Sequence, residues 1–472
     1  MQFEYMLLGA IFIPVLGTFL LPLAGRISLR LRNTLAFFCI AASFILSLMM
    51  IPVVLSGRVI EFSLLFPLGF NLVLRADILA VFMACVSSFI SSVIVVYSFD
   101  YISHYENQNE YYFMVVLFLG AMMGLVFSAN LIMLYIFWEI TAITSWRLIG
   151  FFREKAYVIK ADKSFLVTAF GAFCMLLGFL MVYQHTGTFD ITASSITNTA
   201  AILILIGIFS KSATLPFHTW LPDAGVAPSP VTALLHAAVL VKIGVYVFAR
   251  LFLATYTAPQ IWSGVVVWTA AASAIVSAGA ALRETDLKRL IAYSTISQIG
   301  FIFFGLALGN DLAIYGALLY ILMHGLAKAG LFLCAGIIEQ NTGTKDITKL
   351  GGLIRSMPIT AMAFLFCAFS VMGVPPFGGF FSKYLVFAGA MKTGSLPIIF
   401  TFLLAAIMTI LYLFRVFNLV FLGEPHTALK KEASPVMVTS VALLGILSLL
   451  SGFLIYYPAA FAHAAALQML LK

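Results

Sequence analysis

Apolar runs of about 20 residues recur along the whole chain, centred near residues 14, 44, 88, 120, 137, 172, 206, 241, 271, 299, 322, 366, 409 and 444. As an α-helix, each run rises about 30 Å, the thickness of a bilayer's hydrocarbon core, and in lipid a helix satisfies its backbone groups within one segment. The fold class is therefore all-α integral membrane, with about fourteen transmembrane helices. Composition agrees: 63% of the 472 residues are hydrophobic and 9% charged, far from soluble-domain usage. About 34 residues per span provide a helix and a short loop, leaving no room for a soluble catalytic domain. The opening segment, MQFEYMLLGAIFIPVLGTFLLPLAG, carries Glu4 where a secretory signal would be basic, and its run is too long for one. It is read as a retained helix.

The loops orient the chain. Connections from odd to even helices hold Arg26, Arg30 and Arg32, then Arg153, Lys155 and Lys160, then Arg283, Lys288 and Arg289, then Lys345, Lys349 and Arg355, and last Lys430 and Lys431. The other side holds Arg58, Arg75, Arg250, Lys392 and Lys472. Basic loops face the cytoplasm, so both termini are expected outside, and the net charge of +8 is the excess of those loops rather than a nucleic-acid footprint. SFDYISHYENQNE and WLPDAGVAPSP lack basic residues, so five loops of seven carry the assignment.

Two spans are interrupted. Pro216 and Pro222 follow Lys211 in the seventh, and VPPFGGFFSKY places Pro375, Pro376, Gly378 and Gly379 before Lys383 in the twelfth. Broken helices five spans apart, each with a lysine, fit two inverted five-helix repeats, helices 4–8 and 9–13, each giving a broken helix to a transport path. Sequence identity between the halves is low, and the lysine precedes one break and follows the other. The expected units are residues 1–110 (helices 1–3), 111–255 (first repeat), 256–422 (second repeat) and 423–472 (helix 14).

Seven ionisable residues lie inside the spans: Glu139 in YIFWEITAIT, Lys211 in IFSKSAT, His236 and Lys242 in LLHAAVLVKIG, His324 and Lys328 in LYILMHGLAKAGLF, and Lys383 at the second break. Each ion at mid-depth costs about 2.5–3.5 kcal/mol to insert. Snorkelling to the interface suits Lys242 and Lys383 better than Lys328, which is apolar on both sides. A Glu139–Lys211 pair would also serve as a purely structural tie. The reading adopted is a proton relay: desolvation makes a buried ammonium easier to deprotonate, a nearby carboxylate makes it harder, and histidine titrates near neutrality. His324 and Lys328, four apart, share one helix face, whereas His236 and Lys242, six apart, point in different directions. Glu139 is the only carboxylate well inside a span, which favours protons over sodium. Cys39, Cys85, Cys174, Cys334 and Cys367 sit in apolar runs without metal, iron–sulfur or disulfide spacing, and read as small buried hydrophobes.

The run KSATLPFHTWLPDAGVAPSPVTALLHAAVLVKIGVY resembles helices seven and eight of the antiporter-like subunits shared by respiratory complex I, Mrp-type multisubunit Na+/H+ antiporters and membrane-bound group 4 hydrogenases. The resemblance continues through NLIMLYIFWEITAITSWRLIGF, DLKRLIAYSTISQIG, HGLAKAGLFLCAG and PPFGGFFSK. It implies fourteen helices around a hydrated axis, with Glu139 as the helix-five glutamate, Lys211 its helix-seven partner, His236 the helix-eight histidine, His324 and Lys328 the helix-eleven pair and Lys383 the helix-twelve terminal lysine. Lys242 matches a lysine found in some members, and Lys288 the basic residue opening helix ten. Arg147 replaces a usually apolar residue, either adding charge near Glu139 or facing the inner interface. The chain ends after helix fourteen, without the lateral helix of the largest complex I subunit or the extension of the large Mrp subunit, and VTAFGAFCMLLGFL leans towards the Mrp and hydrogenase branches.

The function expected is proton translocation, with Na+/H+ antiport as its variant, in a complex with other membrane subunits of an energy-transducing bacterial or archaeal membrane. Protons would run along His236, Lys328 and His324 and exchange with bulk through Lys383. The alternatives are a non-transporting scaffold, argued against by the complete axis, the membrane arm of a redox enzyme, and a stand-alone transporter. No haem, flavin, nucleotide or iron–sulfur motif occurs, so no cofactor is expected in this chain.

Overall fold

The computed structural model describes residues 2–67, 71–424 and 432–471; Lys430, Lys431 and Lys472 lie outside them. About 80% is helical. Helices α1 (Gln2–Gly17) and α2 (Leu21–Ile27) join through a 3-10 turn into one apolar rod, followed by α3 (Leu29–Leu55). A hairpin of β1 (Ile60–Leu64) and β2 (Leu72–Ala76), paired Ile60 to Ala76, leads into α4 (Ile78–Tyr101), whose first turn is capped by Asp77 accepting from the Ala80 N–H at 2.9 Å. Next come α5 (Gln108–Phe127), α6 (Leu131–Ile149), capped by Asn130, and α7 (Lys155–Thr186). The short β3 (Ser194–Ser195) precedes α8 (Asn198–Lys211), which stops at the expected first break; the chain then passes a cis Leu215–Pro216 bond into the single turn α9 (Trp220–Asp223).

The next rod, residues 229–253, is not a regular helix. It runs α10 (Ser229–Ala233), a π-turn over Leu234–Ala238, α11 (Leu240–Phe248) and a second π-turn over Ala249–Leu253. After β4 (Tyr256–Thr257), which pairs with β3, follow α12 (Ile261–Arg283), α13 (Leu287–Ala307) and α14 (Asp311–Thr342). The second expected break separates α15 (Pro358–Met372) from α16 (Gly378–Met391), with Gly373 at φ +82° and a cis Pro375–Pro376 bond between them. Last come α17 (Leu396–Phe417), α18 (Pro435–Phe453) and α19 (Tyr456–Leu470), so residues 423–472 hold two helices rather than one.

Among the described residues twelve helices are long and apolar enough to cross a membrane, and α8 and α15 are shorter apolar helices at the two breaks. The rod 229–253, α4, α13 and α14 are almost wholly buried, while α1, α12 and α17 show much of their apolar surface to the outside, as lipid-facing helices do. α14 packs against α4, α10, α13, α15, α16, α18 and α19, so it is the axis of the bundle.

One local structure occurs twice. TGTFDIT from Thr186 and TGTKDIT from Thr342 lie 156 positions apart, each ending a 32-residue helix. Gly187 and Gly343 share φ 74° and ψ 4°, a left-handed cap that favours glycine. Phe189 O accepts from the Leu131 N–H and Lys345 O from the Leu287 N–H, both at 2.8 Å, so each motif ties the end of one long helix to the start of the preceding one.

Candidate functional site

Lys211 closes α8, and its ammonium donates to the Trp138 carbonyl at 3.0 Å while lying 5.1 Å from the Trp138 ring centre. The α7–α8 contact that holds it is made close by small residues: a Cβ on Gly207, one turn before Lys211, would come within 2.6 Å of Met175 Cβ. Glu139 is next to Trp138 on α6, half-buried, and its Oε1 lacks a hydrogen-bond partner. The two charges feel each other, yet no contact within 4.0 Å joins them. The expected pair is thus electrostatic, with the peptide carbonyl as the lysine's bonded neighbour. Arg147 does not join it; it bonds Glu110 of α5, which also holds Arg153 at 2.6 Å, resolving the two expectations in favour of the basic end.

His236 falls in the first π-turn and Lys242 just beyond it, after a kink at Val239 (φ −129°, ψ −74°). Both are fully buried, which excludes snorkelling for Lys242. The Lys242 ammonium donates to Ala237 O and lies against Gly325 of α14, where a Cβ would stand 2.6 Å from Nζ. That contact explains the glycine in HGLAKAG. The His236 ring packs on Phe332 with centres 4.4 Å apart and planes tilted by 34°, and neither of its nitrogens has a protein partner.

On α14, His324 stands within electrostatic reach of Lys242, Lys328, His236 and Lys383, and both its nitrogens are unpartnered. Lys328 donates to Ser294 Oγ at 2.5 Å and Ile291 O at 3.2 Å. Beyond Ser294 runs a neutral network that charge-based reading overlooks: Ser294 and Tyr412 hydroxyls at 2.7 Å, Gln298 Nε2 donating to Tyr412 at 3.3 Å and Thr409 at 3.2 Å, and Tyr320 OH donating to Gln298 Oε1 at 2.6 Å. Lys383 follows, 6% exposed, donating to Val371 O at 2.7 Å under the rings of Phe301 and Tyr320. It does not snorkel; its stem lies on Gly373, at the exposed second break.

Two further polar clusters flank this row. At the end bearing the basic loops, Lys288 pairs with Glu339 at 2.7 Å and donates to Ala227 O. Asp223 holds Lys163 at 2.7 Å and Arg289 at 2.6 Å; burial acts to raise its carboxyl, but these cations outweigh it and hold it below the usual range. At the other end Arg250 makes a two-pronged bond to Asp77 beside a cavity of about 210 Å³ lined by Glu61, Arg75 and Gln468. Arg250 is therefore a buried helix residue rather than a loop charge. Among the described residues no cluster of three or more His, Cys, Asp or Glu side chains has the geometry to hold a metal ion.

Residues 128–409 match the family described as NADH:quinone oxidoreductase/Mrp antiporter, TM, and residues 65–112 the N-terminus of NADH-ubiquinone oxidoreductase (complex I) chain 5. Over 453 residues, 87% of this chain, the sequence is 36% identical to the A subunit of the Na(+)/H(+) antiporter of Alkalihalophilus pseudofirmus, and over 490 aligned positions, 94% of the chain, 34% identical to the A1 subunit of the Na(+)/H(+) antiporter of Staphylococcus aureus. The matches cover 56% and 60% of those proteins, so the chain spans little more than half the length of these relatives. A chain of the Mrp complex from Dietzia sp. superposes with a TM-score of 0.91 at 21% identity, and one of the archaeal membrane-bound sulfane sulfur reductase with 0.90 at 22%, each covering 100% of this chain and 98% of the other. These two likenesses concern the fold.

Proposed function

The chain belongs to the NADH:quinone oxidoreductase/Mrp antiporter transmembrane family, and we propose that it is the proton-translocating subunit of a multisubunit Na+/H+ antiporter in a cell membrane. The carrying observation is the row of half-buried Glu139 and buried Lys211, His236, Lys242, His324, Lys328 and Lys383, of which the two histidines have no protein hydrogen-bond partner at any of their four ring nitrogens. Buried nitrogens without protein partners cost stability, and a proton that comes and goes is a reason for a membrane protein to keep them. Names of relatives supply the coupled ion; the residues supply the proton path.

The same proposal counts fourteen spans, by completing the twelve long helices with α8 and α15 at their breaks. It reads α5–α11 and α12–α17 as inverted repeats. The twin TGTxDIT caps support this: they end helices five spans apart, an odd number, so they stand at opposite faces of the bilayer. The basic end faces the cytoplasm, and Lys383, lying on the second break, exchanges with bulk solvent on one side of the membrane.

The test uses the whole complex in everted membrane vesicles, following proton and sodium fluxes together. Glu139→Gln and Lys211→Ala should each abolish transport while the complex still assembles. Normal transport by either variant would reduce the pair to a structural tie.

A further inference from the structure

Resting on the relay just proposed, a proton must travel between Lys328 and Lys383, and two routes are open to it. One is the row of hydroxyls: Lys328 to Ser294, Ser294 to Tyr412, Tyr412 to Gln298, Gln298 to Tyr320, with the Tyr320 ring 5.5 Å from the Lys383 ammonium. The other is His324, one turn from both Tyr320 and Lys328 on α14 and electrostatically coupled to both lysines.

The first connection is continuous in hydrogen bonds from Lys328 as far as Tyr320, yet one member differs chemically from the rest. A hydroxyl accepts a proton on its oxygen and releases another from the same oxygen, so the Ser294–Tyr412 bond, in which either atom can donate, reverses easily. An amide accepts at oxygen and donates at nitrogen. A proton taken from Tyr320 at Gln298 Oε1 leaves only if Nε2 gives one up, producing the high-energy imidic acid. The same obstacle stands with the amide turned either way round, because both neighbours are hydroxyls. Every described hydrogen bond linking the Ser294–Tyr412 pair to Tyr320 passes through Gln298. Tyr320, moreover, spends its hydrogen on Gln298, while Lys383 bonds Val371 O instead.

We propose that Gln298 is a proton insulator: it ties α13, α14 and α17 together while closing the hydroxyl route, so that exchange between Lys328 and Lys383 passes through His324 alone. In that transfer one imidazole nitrogen takes the proton released by the Lys328 ammonium, directly or across a water. The other nitrogen gives its own proton to the Lys383 amine, and a ring turn restores the first tautomer. Insulation matters because a bypass around His324 would join the two lysines whatever the state of the histidine, and the histidine could then no longer gate the step.

The experiment is transport by the intact complex in everted vesicles, normalised to assembled complex. His324→Asn should lower flux by about tenfold or more. His324→Asn combined with Gln298→Glu should regain much of it, because a carboxyl accepts on one oxygen and releases from the other and can donate to Tyr320, whose hydroxyl is then free to turn its hydrogen towards the Lys383 amine, whereas His324→Asn with Gln298→Leu should not. Tyr320→Phe alone should stay within about twofold of wild type, since its hydroxyl lies off the path. Loss of flux in Tyr320→Phe matching that of His324→Asn would overturn the insulator, and so would an assembled rescue variant that shows no recovery. Lys211→Ala, run in parallel, reports on the relay reading separately.

Discussion

Replacing Asp77 by asparagine isolates what a stranded charge costs in this fold. Asp77 and Arg250 are 8% and 11% exposed at their side chains, and they share bonds of 2.5 and 2.7 Å across 173 positions of sequence, fastening the start of α4 to the end of the rod 229–253. The substituted side chain keeps the helix cap, because asparagine accepts from the Ala80 N–H as aspartate does. What is lost is the negative charge and the Oδ2 acceptor of Arg250 Nη1, which then faces the donor Nδ2 of asparagine, so the guanidinium stays buried without its countercharge and with one bond fewer. Removing one partner of a buried ion pair destabilises by about 3–5 kcal/mol, whereas replacing both by groups of similar volume is often neutral. Asp77→Asn should therefore lower the thermal midpoint of the detergent-solubilised complex by about 5 °C or more, and Asp77→Asn with Arg250→Met should recover at least half of that fall. The double variant isolates the coupling between the two residues. A single variant as stable as wild type, or a double variant no better than the single, would refute the reasoning.

Two further expectations concern orientation and the end of the relay. A cysteine placed between Lys345 and Lys349 should react with a membrane-impermeant reagent from the cytoplasmic side only; labelling from outside would invert the whole assignment. Lys383→Arg keeps a cation under Phe301 and Tyr320 but one that does not deprotonate, so transport should stop although the charge remains, and wild-type flux in that variant would show that Lys383 is not a proton station.

The spans were legible because the solvent of this protein is lipid: a helix must be apolar for about 20 residues, and that length is a property of the bilayer rather than of the fold. The breaks were legible for a related reason, since proline and glycine free backbone groups that only a buried or wetted site satisfies. The distortions of the rod 229–253 were not. LLHAAVLVKIG holds no proline and no glycine at the kink, and the π-turn reflects packing of His236 on Phe332 and of Lys242 on Gly325, contacts between segments about 90 positions apart. The repeated TGTxDIT was within reach, but it sits in helix caps, outside the apolar runs on which a comparison of spans dwells.

The site divides the same way. Ions inside a membrane are rare enough that each one announces itself, so the seven ionisable residues proposed as the row were legible as ionisable groups within the spans. Glu339 escaped because it lies near a span end, where a carboxylate needs no explanation until Lys288 is seen 2.7 Å away. Ser294, Gln298, Tyr320, Thr409 and Tyr412 escaped for a deeper reason. Neutral hydrogen-bonding groups cost far less to bury than ions once they are paired with each other, so they leave no anomaly in hydropathy. A chain that must place several lysines in lipid nevertheless needs such groups, because each ammonium must find acceptors without a fixed countercharge that would trap its proton. In the described structure Lys211, Lys242 and Lys383 take peptide carbonyls, and Lys328 a carbonyl and a serine. None of the four has a carboxylate within 4.0 Å, and in the relay proposed above that choice of partners is what would leave the protons free to move.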